Sequence, residues 1–597
     1  MSENKSRLAL LREEMAKKKI DMYLMQMSDD HASEYVGDRF KEIAFLTGFT
    51  GENTWVCVTQ KKSYLWADGR YFIQAKKELR GSGTSLFEMG EEGVPTVSEY
   101  IKKNLKAGQV LGFSGRQFSY NDYREYKKIA DEAKAKISIR TNLMDKVWRS
   151  RPALTGSSIW ELSKKYSGET FAEKRKRVLD KMKEQGCDAH LLTSLYDIAW
   201  LLNLRADDIA CVPVFMSFLY MTKTRTILFA APEAVDSRVK NYLKKNGIEL
   251  LPYESIYKEI KSFSPRKVLI DPAVVNATLA TSFGSKTELF EADNPTELMR
   301  SIKNKTEIAN TRIAHIRDGV AVTKFIYYIK HNIGKRPLSE LDAADIILDL
   351  RRQQEDFLGV SFDTIAGYGG NAAMMHYTAT PESYADLRPE GFLLVDSGGH
   401  YLQGTTDITR TIALGPLTDE QRHAYTTTVR ANLRLASAHF PDGARGENLD
   451  ILARGPFWDE GLDYRCGTGH GVGHISNVHE GPQSFRWKAK EPKKLTAVLK
   501  PGMITTDEPG LYVEDGFGIR IENELLCVED EKTEYGQYYK FEPITFAPFE
   551  VDAINVDELT QYERRALNDY HALVYEKLTP HLTKAEAKWL KKVTKPL

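Results

Sequence analysis

The sequence predicts an α/β protein built from three consecutive parts. Its 597 residues are too many for one ordinary core, because a domain averages about 150 residues, which suggests roughly three to four domains. Ahead of Asn294 and Pro295, helical patterns alternate with short β-branched and aromatic runs, and a long helical pattern follows them. We therefore expect two α/β domains followed by a larger part of mixed α and β structure.

The first part begins with a helical pattern formed by Leu8, Leu11 and Met15. Two strand-like runs follow at residues 54–58 and 63–66, with a polar turn between them. A helix followed by paired strands is typical of an α/β domain. The same order of elements then returns further along the chain, which suggests an internal duplication.

Breakers and changes in pattern set the expected boundaries. The run Arg149-Ser150-Arg151-Pro152 interrupts the periodic segments, so we predict an N-terminal domain over residues 1–152 and a second over residues 153–296. The third domain, residues 297–597, ends in a helical extension whose last helix is indicated by the capping box Thr583-Lys584-Ala585-Glu586. We expect the chemistry to lie in this third domain.

Composition excludes several classes of protein. Lys plus Arg and Asp plus Glu both number 83, so no global charge points to nucleic acid or to an anionic membrane as a partner. The charged N-terminus lacks the apolar segment of a signal peptide, and no run is apolar enough for a membrane span. The 5 cysteines are scattered and odd in number, which suits a reducing compartment. We therefore predict a cytoplasmic location.

The most informative feature is a pair of carboxylates placed symmetrically across a predicted β-hairpin. In residues 391–411, two strand-like runs flank a Gly-rich turn centred near Tyr401 and Leu402. Asp396 and Asp407 are equidistant from this centre. Directly opposed residues on antiparallel strands have Cβ atoms roughly 5 Å apart, so the sequence predicts two neighbouring carboxylates.

The arrangement recurs once. In residues 504–523, Glu508 and Glu522 are equidistant from Asp515. Opposed like charges repel, so a chain that opposes carboxylates twice is expected to hold cations between them. Two metal ions about 3.5–4 Å apart are the usual occupants of such a site.

A histidine joins the four acids. His470 stands between Gly469 and Gly471, and we interpret these glycines as letting the backbone pass close to a metal centre. Imidazole favours a transition metal over Mg²⁺ or Ca²⁺. Four carboxylates and one neutral histidine match the charge of two divalent ions, and a water shared by two ions becomes a nucleophile near neutral pH. The predicted chemistry is hydrolysis of an amide or an ester.

Four side chains are candidates for the remaining catalytic roles. His376 and His479 can hold a carbonyl oxygen as it gains charge, or pass a proton to the leaving nitrogen. Glu508 can take a proton from the attacking water, and Arg520 can orient a carboxylate through charge-assisted hydrogen bonds. A simpler interpretation is that the histidines are structural and that Arg520 is an ion-pair partner of Glu522.

The motifs around these residues, taken in order, resemble those of the metal-dependent Xaa-Pro aminopeptidases (aminopeptidase P) in their long three-domain form. The resemblance rests on His376, Asp396, Asp407, residues 467–473, 478–482, 506–510 and 518–523, with further support from residues 31–35, 67–75, 198–205 and 213–215. It implies two creatinase-type domains ahead of a C-terminal pita-bread catalytic domain. Two departures are His474, where the family more often has a small polar residue, and additional basic residues at 486–494.

The resemblance also implies the composition of the site. Asp396 chelates one ion, Asp407 and Glu522 bridge both ions, and His470 and Glu508 complete the second. The two divalent ions are expected to be Mn²⁺, with Zn²⁺ or Co²⁺ as alternatives.

The implied catalytic residues are His376, His479 and Glu508. The implied substrate-binding residues are Arg70, His376, His470, His479 and Arg520, where Arg70 reaches in from the first domain. The substrates are peptides with proline at the second position, and the expected assembly is a homodimer.

Two other functions stay open from the sequence. A prolidase, which cleaves only Xaa-Pro dipeptides, shares the same ligands. A non-catalytic peptide-binding module shares the fold after losing ligands, although here all five ligand positions are filled.

Overall fold

The computed structural model describes residues 3–154, 156–488 and 496–597. It divides into two compact units, of which the first contains Met1–Leu162 with Glu169–Thr296 and the second contains Ser163–Gly168 with Glu297–Leu597. The predicted limits at 152 and 296 remain predictions, because the first two predicted domains fall within one unit. Part of the basic segment 486–494 lies outside the described residues.

The first unit begins with a six-stranded sheet in the order β4-β3-β2-β1-β5-β6. A buried cluster that includes Leu11, Met15 and Val56 packs the first helix onto one face of this sheet. The strands are β1 (Met22–Gln26), β2 (Trp55–Thr59), β3 (Ser63–Ala67), β4 (Ser85–Glu88), β5 (Val110–Gly112) and β6 (Lys136–Ser138). The helices are α1 (Glu3–Lys17), α2 (Glu42–Thr47), α3 (Phe72–Glu78), α4 (Val97–Asn104), α5 (Tyr120–Glu132) and α6 (Met144–Val147).

A second six-stranded sheet follows in the same unit, in the order β12-β11-β10-β8-β13-β14. The strands after β6 are β7 (Trp160–Glu161), β8 (Ala189–Leu192), β9 (Leu204–Arg205), β10 (Phe218–Thr222), β11 (Thr226–Ala230), β12 (Ile248–Pro252), β13 (Lys267–Ile270) and β14 (Glu288–Glu291). The helices are α7 (Lys164–Ser167), which belongs to the second unit, α8 (Phe171–Glu184), α9 (Leu195–Leu202), α10 (Ser237–Lys245), α11 (Ile256–Glu259) and α12 (Ala277–Ala280).

The two sheets share their topology. In each, the first long strand is central, pairs antiparallel with a hairpin strand on one side and pairs parallel with a later strand on the other. The outermost pairs β3-β4, β5-β6, β11-β12 and β13-β14 are all parallel. An identical strand order and direction is the arrangement that the predicted duplication requires.

The second unit has the pita-bread fold, with two α/β halves. Helices α14 and α15 cover the small sheets of the first half, and α16 and α17 cover the six-stranded sheet β21-β28-β27-β24-β22-β23 of the second. The helices are α13 (Pro295–Ser301), α14 (Lys305–Asn332), α15 (Glu340–Arg352), α16 (Asp419–Ala436), α17 (Gly446–Trp458), α18 (Gln561–Leu578) and α19 (Lys584–Val593).

The described strands of this unit form one six-stranded, two three-stranded and one two-stranded sheet. They are β15 (Phe357–Val360), β16 (Ile365–Tyr368), β17 (Phe392–Ser397), β18 (Gly399–Tyr401), β19 (Gly404–Thr405), β20 (Ile408–Ala413), β21 (His439–Pro441), β22 (Gly469–Gly471), β23 (Glu480–Phe485), β24 (Ile504–Asp507), β25 (Gly510–Tyr512), β26 (Gly518–Arg520), β27 (Asn523–Thr533) and β28 (Gly536–Pro543). Two hydrogen bonds connect β20 with the hairpin that carries Arg520 and Glu522. The N–H of Glu522 donates to Thr409 O at 3.1 Å, and Thr411 Oγ1 donates to Arg520 O at 2.9 Å.

The capping box at Thr583 starts α19 as predicted. In the part of the chain that the structure describes, no helix combines the length and apolarity needed to cross a bilayer.

Candidate metal centre

The first carboxylate pair lies on one hairpin, but its predicted register is wrong by two residues. Asp396 in β17 faces Thr409 in β20, and the same register continues through the pair His400 and Thr405. The turn is therefore centred between Leu402 and Gln403, one residue later than predicted. Residues two apart on a strand share a face, so Asp407 remains on the face of Asp396 as its diagonal neighbour.

The second pair has the predicted register. Asp507 pairs with Asn523 in β24 and β27, and Gly510 pairs with Arg520 in β25 and β26. Both ladders share one register, which places Glu508 opposite Glu522 between them. The turn is centred on Asp515, whose φ of 57° is in the left-handed region.

His470 is fixed in β22, and the flanking glycines have a different reason from the one predicted. A Cβ on Gly469 would lie 1.8 Å from Thr506 O, and one on Gly471 would lie 2.2 Å from Glu480 O. The glycines are required because neighbouring strands approach their backbone. That they also let the backbone pass close to a metal centre stays a prediction. Nδ1 of His470 is 2.9 Å from Gly471 O, so Nε2 is the ring nitrogen that faces the acids and can bind a metal.

Three of the five predicted ligands converge, and a fourth, Glu508, lies close to them. One ligand atom from each of Asp407, His470 and Glu522 lies within 4.8 Å of the others. Nε2 of His470 is 3.5 Å from Asp407 Oδ2 and 3.6 Å from Glu508 Oε1. Oδ1 of Asp396 is buried and accepts no hydrogen bond from any described residue. Oxygen and imidazole donors at these spacings suit divalent transition metals.

The electrostatics of the cluster favour cations. Burial raises the pKa of Asp396, Glu508 and Glu522, and the neighbouring charge of Asp407 raises all three further. Burial opposes the charged form of His470, but the hydrogen bond to Asp407 and the charge of Glu508 outweigh it and raise the pKa of His470 to about 9. Protons and metal ions therefore compete for the same atoms.

Arg520 orients one carboxylate of the cluster, but it is not the partner of Glu522. Nη2 donates to Asp396 Oδ2 at 2.6 Å, Nη1 donates to Tyr512 OH at 2.7 Å and Nε donates to Thr409 Oγ1 at 3.2 Å. Glu522 instead accepts from Thr409 Oγ1 at 2.7 Å. The structure thus supports the carboxylate-orienting interpretation of Arg520 over an ion pair with Glu522.

The other predicted site residues differ in what the structure shows for them. The ring of His479 meets that of His470 edge-on, with centroids 4.3 Å apart. His376 is half-buried on the segment that follows β16. Arg70 lies in the first unit and donates to both carboxylate oxygens of Asp68, at 3.0 and 2.7 Å. Its predicted contact with a peptide remains a prediction.

Glu340, at the start of α15, is a residue that the sequence analysis missed. It is fully buried, and its carboxylate accepts from Tyr368 N at 2.7 Å, Tyr377 OH at 2.8 Å, Ala385 N at 2.7 Å and Asn371 Nδ2 at 3.0 Å. All four donors lie on the segment that carries His376. A single carboxylate thus fixes both ends of this segment, and the only sequence signal was the preceding helix cap, Ser339.

We expect Glu340→Ala to lower kcat/KM of the predicted peptide hydrolysis about a hundredfold. The change releases the segment that carries His376, and a small misplacement of a catalytic group costs about this much. Glu340→Gln keeps one acceptor oxygen and should fall between Glu340→Ala and the unchanged protein. Asp345→Ala, on an exposed position of the same helix, is the control. Metal content should stay unchanged while hydrogen exchange of residues 368–385 accelerates. Unchanged kcat/KM in Glu340→Ala would show that this carboxylate does not position the segment.

Two more buried contacts hold the ligand strands. Glu480, next to His479, accepts from Arg300 and from Lys303, whose Nζ also donates to Val472 O at 2.5 Å. Glu524 accepts from the N–H of the predicted ligand Asp407 at 2.8 Å. Outer contacts of this kind set the orientation of metal ligands.

A buried cluster of acids with one histidine, at the junction of two α/β halves, defines a metallohydrolase. The sequence profile of metallopeptidase family M24 matches residues 309–529, and that of the C-terminal region of peptidase M24 matches residues 537–597. The creatinase/prolidase N-terminal domain matches twice, at residues 7–146 and 150–307.

The relatives are similar over nearly the whole chain. Aminopeptidase P2 of Arabidopsis thaliana is 36% identical over 97% of this chain and 86% of its own length. A probable Xaa-Pro aminopeptidase P of Laccaria bicolor is 35% identical over 99% and 93%.

Two solved structures differ in how much of the chain they cover. The X-prolyl aminopeptidase of Caenorhabditis elegans, described as a cytosolic enzyme with a di-nuclear active site, superposes with a TM-score of 0.94 at 31% identity over all of both chains. The Xaa-Pro dipeptidase of Bacillus anthracis reaches 0.50 at 25% identity over 64% of this chain and 99% of its own. This chain belongs to metallopeptidase family M24, in the form that carries creatinase-type N-terminal domains, and it is a hydrolase.

Proposed function

We propose that this protein is a metal-dependent Xaa-Pro aminopeptidase, which removes the N-terminal residue from peptides whose second residue is proline. The observation that carries the proposal is the full-length similarity to an X-prolyl aminopeptidase, at a TM-score of 0.94, together with the convergence of Asp407, His470 and Glu522. The preference for proline rests on the names of the relatives, since no feature of the carboxylate pairs encodes it.

The residues fit a centre of two divalent ions. Asp396, Asp407, His470, Glu508 and Glu522 are the proposed ligands. Donor atoms of Asp407, His470 and Glu522 converge, Glu508 Oε1 is 3.6 Å from His470 Nε2, and burial raises the pKa of Asp396 and Glu522, which disfavours their charged forms without cations. We propose Mn²⁺, with Zn²⁺ or Co²⁺ as alternatives. Such ions supply an activated water and polarise a carbonyl group.

The side chains around the centre divide the remaining work. Glu508, 3.6 Å from His470 Nε2, accepts the proton of the attacking water. His376 and His479 stabilise the carbonyl oxygen or donate a proton to the leaving nitrogen. Arg520 holds Asp396 in place through the 2.6 Å hydrogen bond. We also propose that Arg520 and Arg70 contact the substrate directly.

A prolidase is the less favoured alternative. The dipeptidase of Bacillus anthracis covers only 64% of this chain, whereas the relatives named as aminopeptidases match 97% or more. A binding module without activity is also disfavoured, because every proposed ligand position carries a ligand-type residue.

One assay separates these functions. The protein is stripped with chelator, supplied again with Mn²⁺, and tested on Arg-Pro-Pro, Gly-Pro and a Met-Ala peptide. We expect metal-dependent release of arginine from Arg-Pro-Pro and no cleavage of the Met-Ala peptide. Cleavage of Gly-Pro alone would replace the proposal with a prolidase, and no metal-dependent cleavage at all would favour the binding module.

The cytoplasmic location and the homodimer are also proposals. A relative described as a cytosolic enzyme supports the first. The second is supported by the exposed rings of Trp458 and Trp487, which meet edge-on with centroids 5.5 Å apart, because aromatic residues are enriched at protein interfaces.

A further inference from the structure

The first unit contains a basic cavity that takes no part in the proposed peptidase reaction. Its volume is about 490 Å³, and it lies between α8, the β10-β11 turn and the end of α10. Four cationic side chains line it: Arg175, Lys176, Lys223 and Lys245. No acidic residue is among its lining residues.

The four cations share a lack of carboxylate partners within the described part of the chain. Three nearby basic residues outside the cavity form ion pairs, at 2.6 Å between Arg177 and Glu169 and at 2.7 Å both between Lys181 and Glu184 and between Arg225 and Glu249. By contrast, no carboxylate of the described residues lies within 4.0 Å of a cationic nitrogen on the lining residues. The cavity thus concentrates positive charge that the protein does not neutralise.

Arg175 is held rigidly at this cavity. Its Nε donates to Thr226 Oγ1 at 3.1 Å, and its Nη2 donates to Thr222 O at 2.9 Å and to Lys223 O at 3.0 Å. Nη1 donates to no acceptor among the described residues. A guanidinium fixed on one side and free on the other is a preorganised donor for a phosphate or a carboxylate.

The cavity also has an apolar part. Phe171 and Leu179, from the same face of α8, also line it. The carboxylate of Glu173, in the first turn of α8, is used by the capping box with Thr170, whose N–H donates to it at 2.6 Å. A concave site with an apolar floor and a few converging polar groups is typical of small-molecule binding.

We propose that this cavity binds a small organic phosphate, with the phosphate on Arg175 and the three lysines and the apolar body against Phe171 and Leu179. The volume of about 490 Å³ and the zero net charge of the chain favour a small ligand over a nucleic acid or a membrane. The inference is independent of the proposed peptidase function, because none of these residues belongs to the metal centre.

Calorimetric titration of the metal-loaded enzyme with 1-naphthyl phosphate tests the inference, and this probe combines a phosphate dianion with an aromatic body. We expect it to bind more tightly than inorganic phosphate or 1-naphthol. The triple variant Lys176→Gln, Lys223→Gln, Lys245→Gln should weaken binding at least tenfold. A second triple variant, Lys240→Gln, Lys258→Gln, Lys261→Gln, removes the same charge from exposed positions of the same unit and should bind like the unchanged protein.

Cleavage of Arg-Pro-Pro should be equal in both triple variants, which shows that they are folded. No binding of 1-naphthyl phosphate, equal binding in the two triple variants, or equal affinity for 1-naphthol would overturn the inference. Tighter binding of a single-stranded oligonucleotide than of 1-naphthyl phosphate, lost in the first triple variant, would overturn it in favour of a nucleic-acid surface.

Discussion

Glu508→Gln is expected to lower kcat on Arg-Pro-Pro by about 10² to 10⁴, because general-base catalysis contributes an acceleration of this size. The amide cannot accept a proton from the attacking water, but its oxygen still faces the centre. Most of the bound metal should therefore remain. The measurement is kcat together with the metal content of the same preparation.

The control is Glu514→Gln, which makes the same change at an exposed position in the turn of the same hairpin. Its kcat should match that of the unchanged protein. If Glu508→Gln turns over at nearly the original rate with its metal in place, Glu508 is not the base. If its metal is lost instead, Glu508 acts mainly as a ligand.

Glu522→Gln is expected to remove both metal binding and activity, because the proposed role of Glu522 is to bridge both ions. When a chelator has removed the ions, the same change should instead raise the free energy of unfolding. Burial first, and then the charges of Asp407, Asp396 and Glu508, raise the pKa of Glu522 well above its ordinary value. Glutamine is uncharged, so these carboxylates do not repel it and the folded state is not destabilised.

The sign of this effect follows from proton linkage. A carboxyl whose pKa is raised on folding holds its proton more tightly in the folded state, so the free energy of unfolding falls as pH rises above its unfolded pKa of about 4.3. In chelator, the stability of the unchanged protein relative to Glu522→Gln should therefore decrease from pH 5 to pH 8. Glu529→Gln, at an exposed position of β27, the strand that follows Glu522, should show no such trend. A parallel pH dependence of Glu522→Gln and the unchanged protein would contradict the account.

Local patterns were enough to predict much of the site. The register around Asp515 was predicted correctly because its turn is compact and the strands on both sides continue in one ladder. The predicted pairing around Leu402 was wrong by two residues, because short strands extend the first hairpin beyond Asp396 and move its turn. The side-chain period of two kept Asp407 on the predicted face despite this error.

Long-range contacts set the limit of sequence reasoning. Glu340 bonds to a segment 28 to 45 residues later, and Lys303 reaches Glu480 across 177 residues. A buried charge with distant partners has the same local signature as a solvated one. The reason for the glycines beside His470 was also hidden, since it depends on strands that are far away in the chain.

The claim that five residues hold two ions is tested most directly by anomalous diffraction at the manganese edge from crystals grown with Mn²⁺. The account predicts two peaks per chain, both in contact with Asp407 and Glu522, with Asp396 on one ion and His470 and Glu508 on the other. A single peak, or peaks that these side chains do not contact, would contradict it.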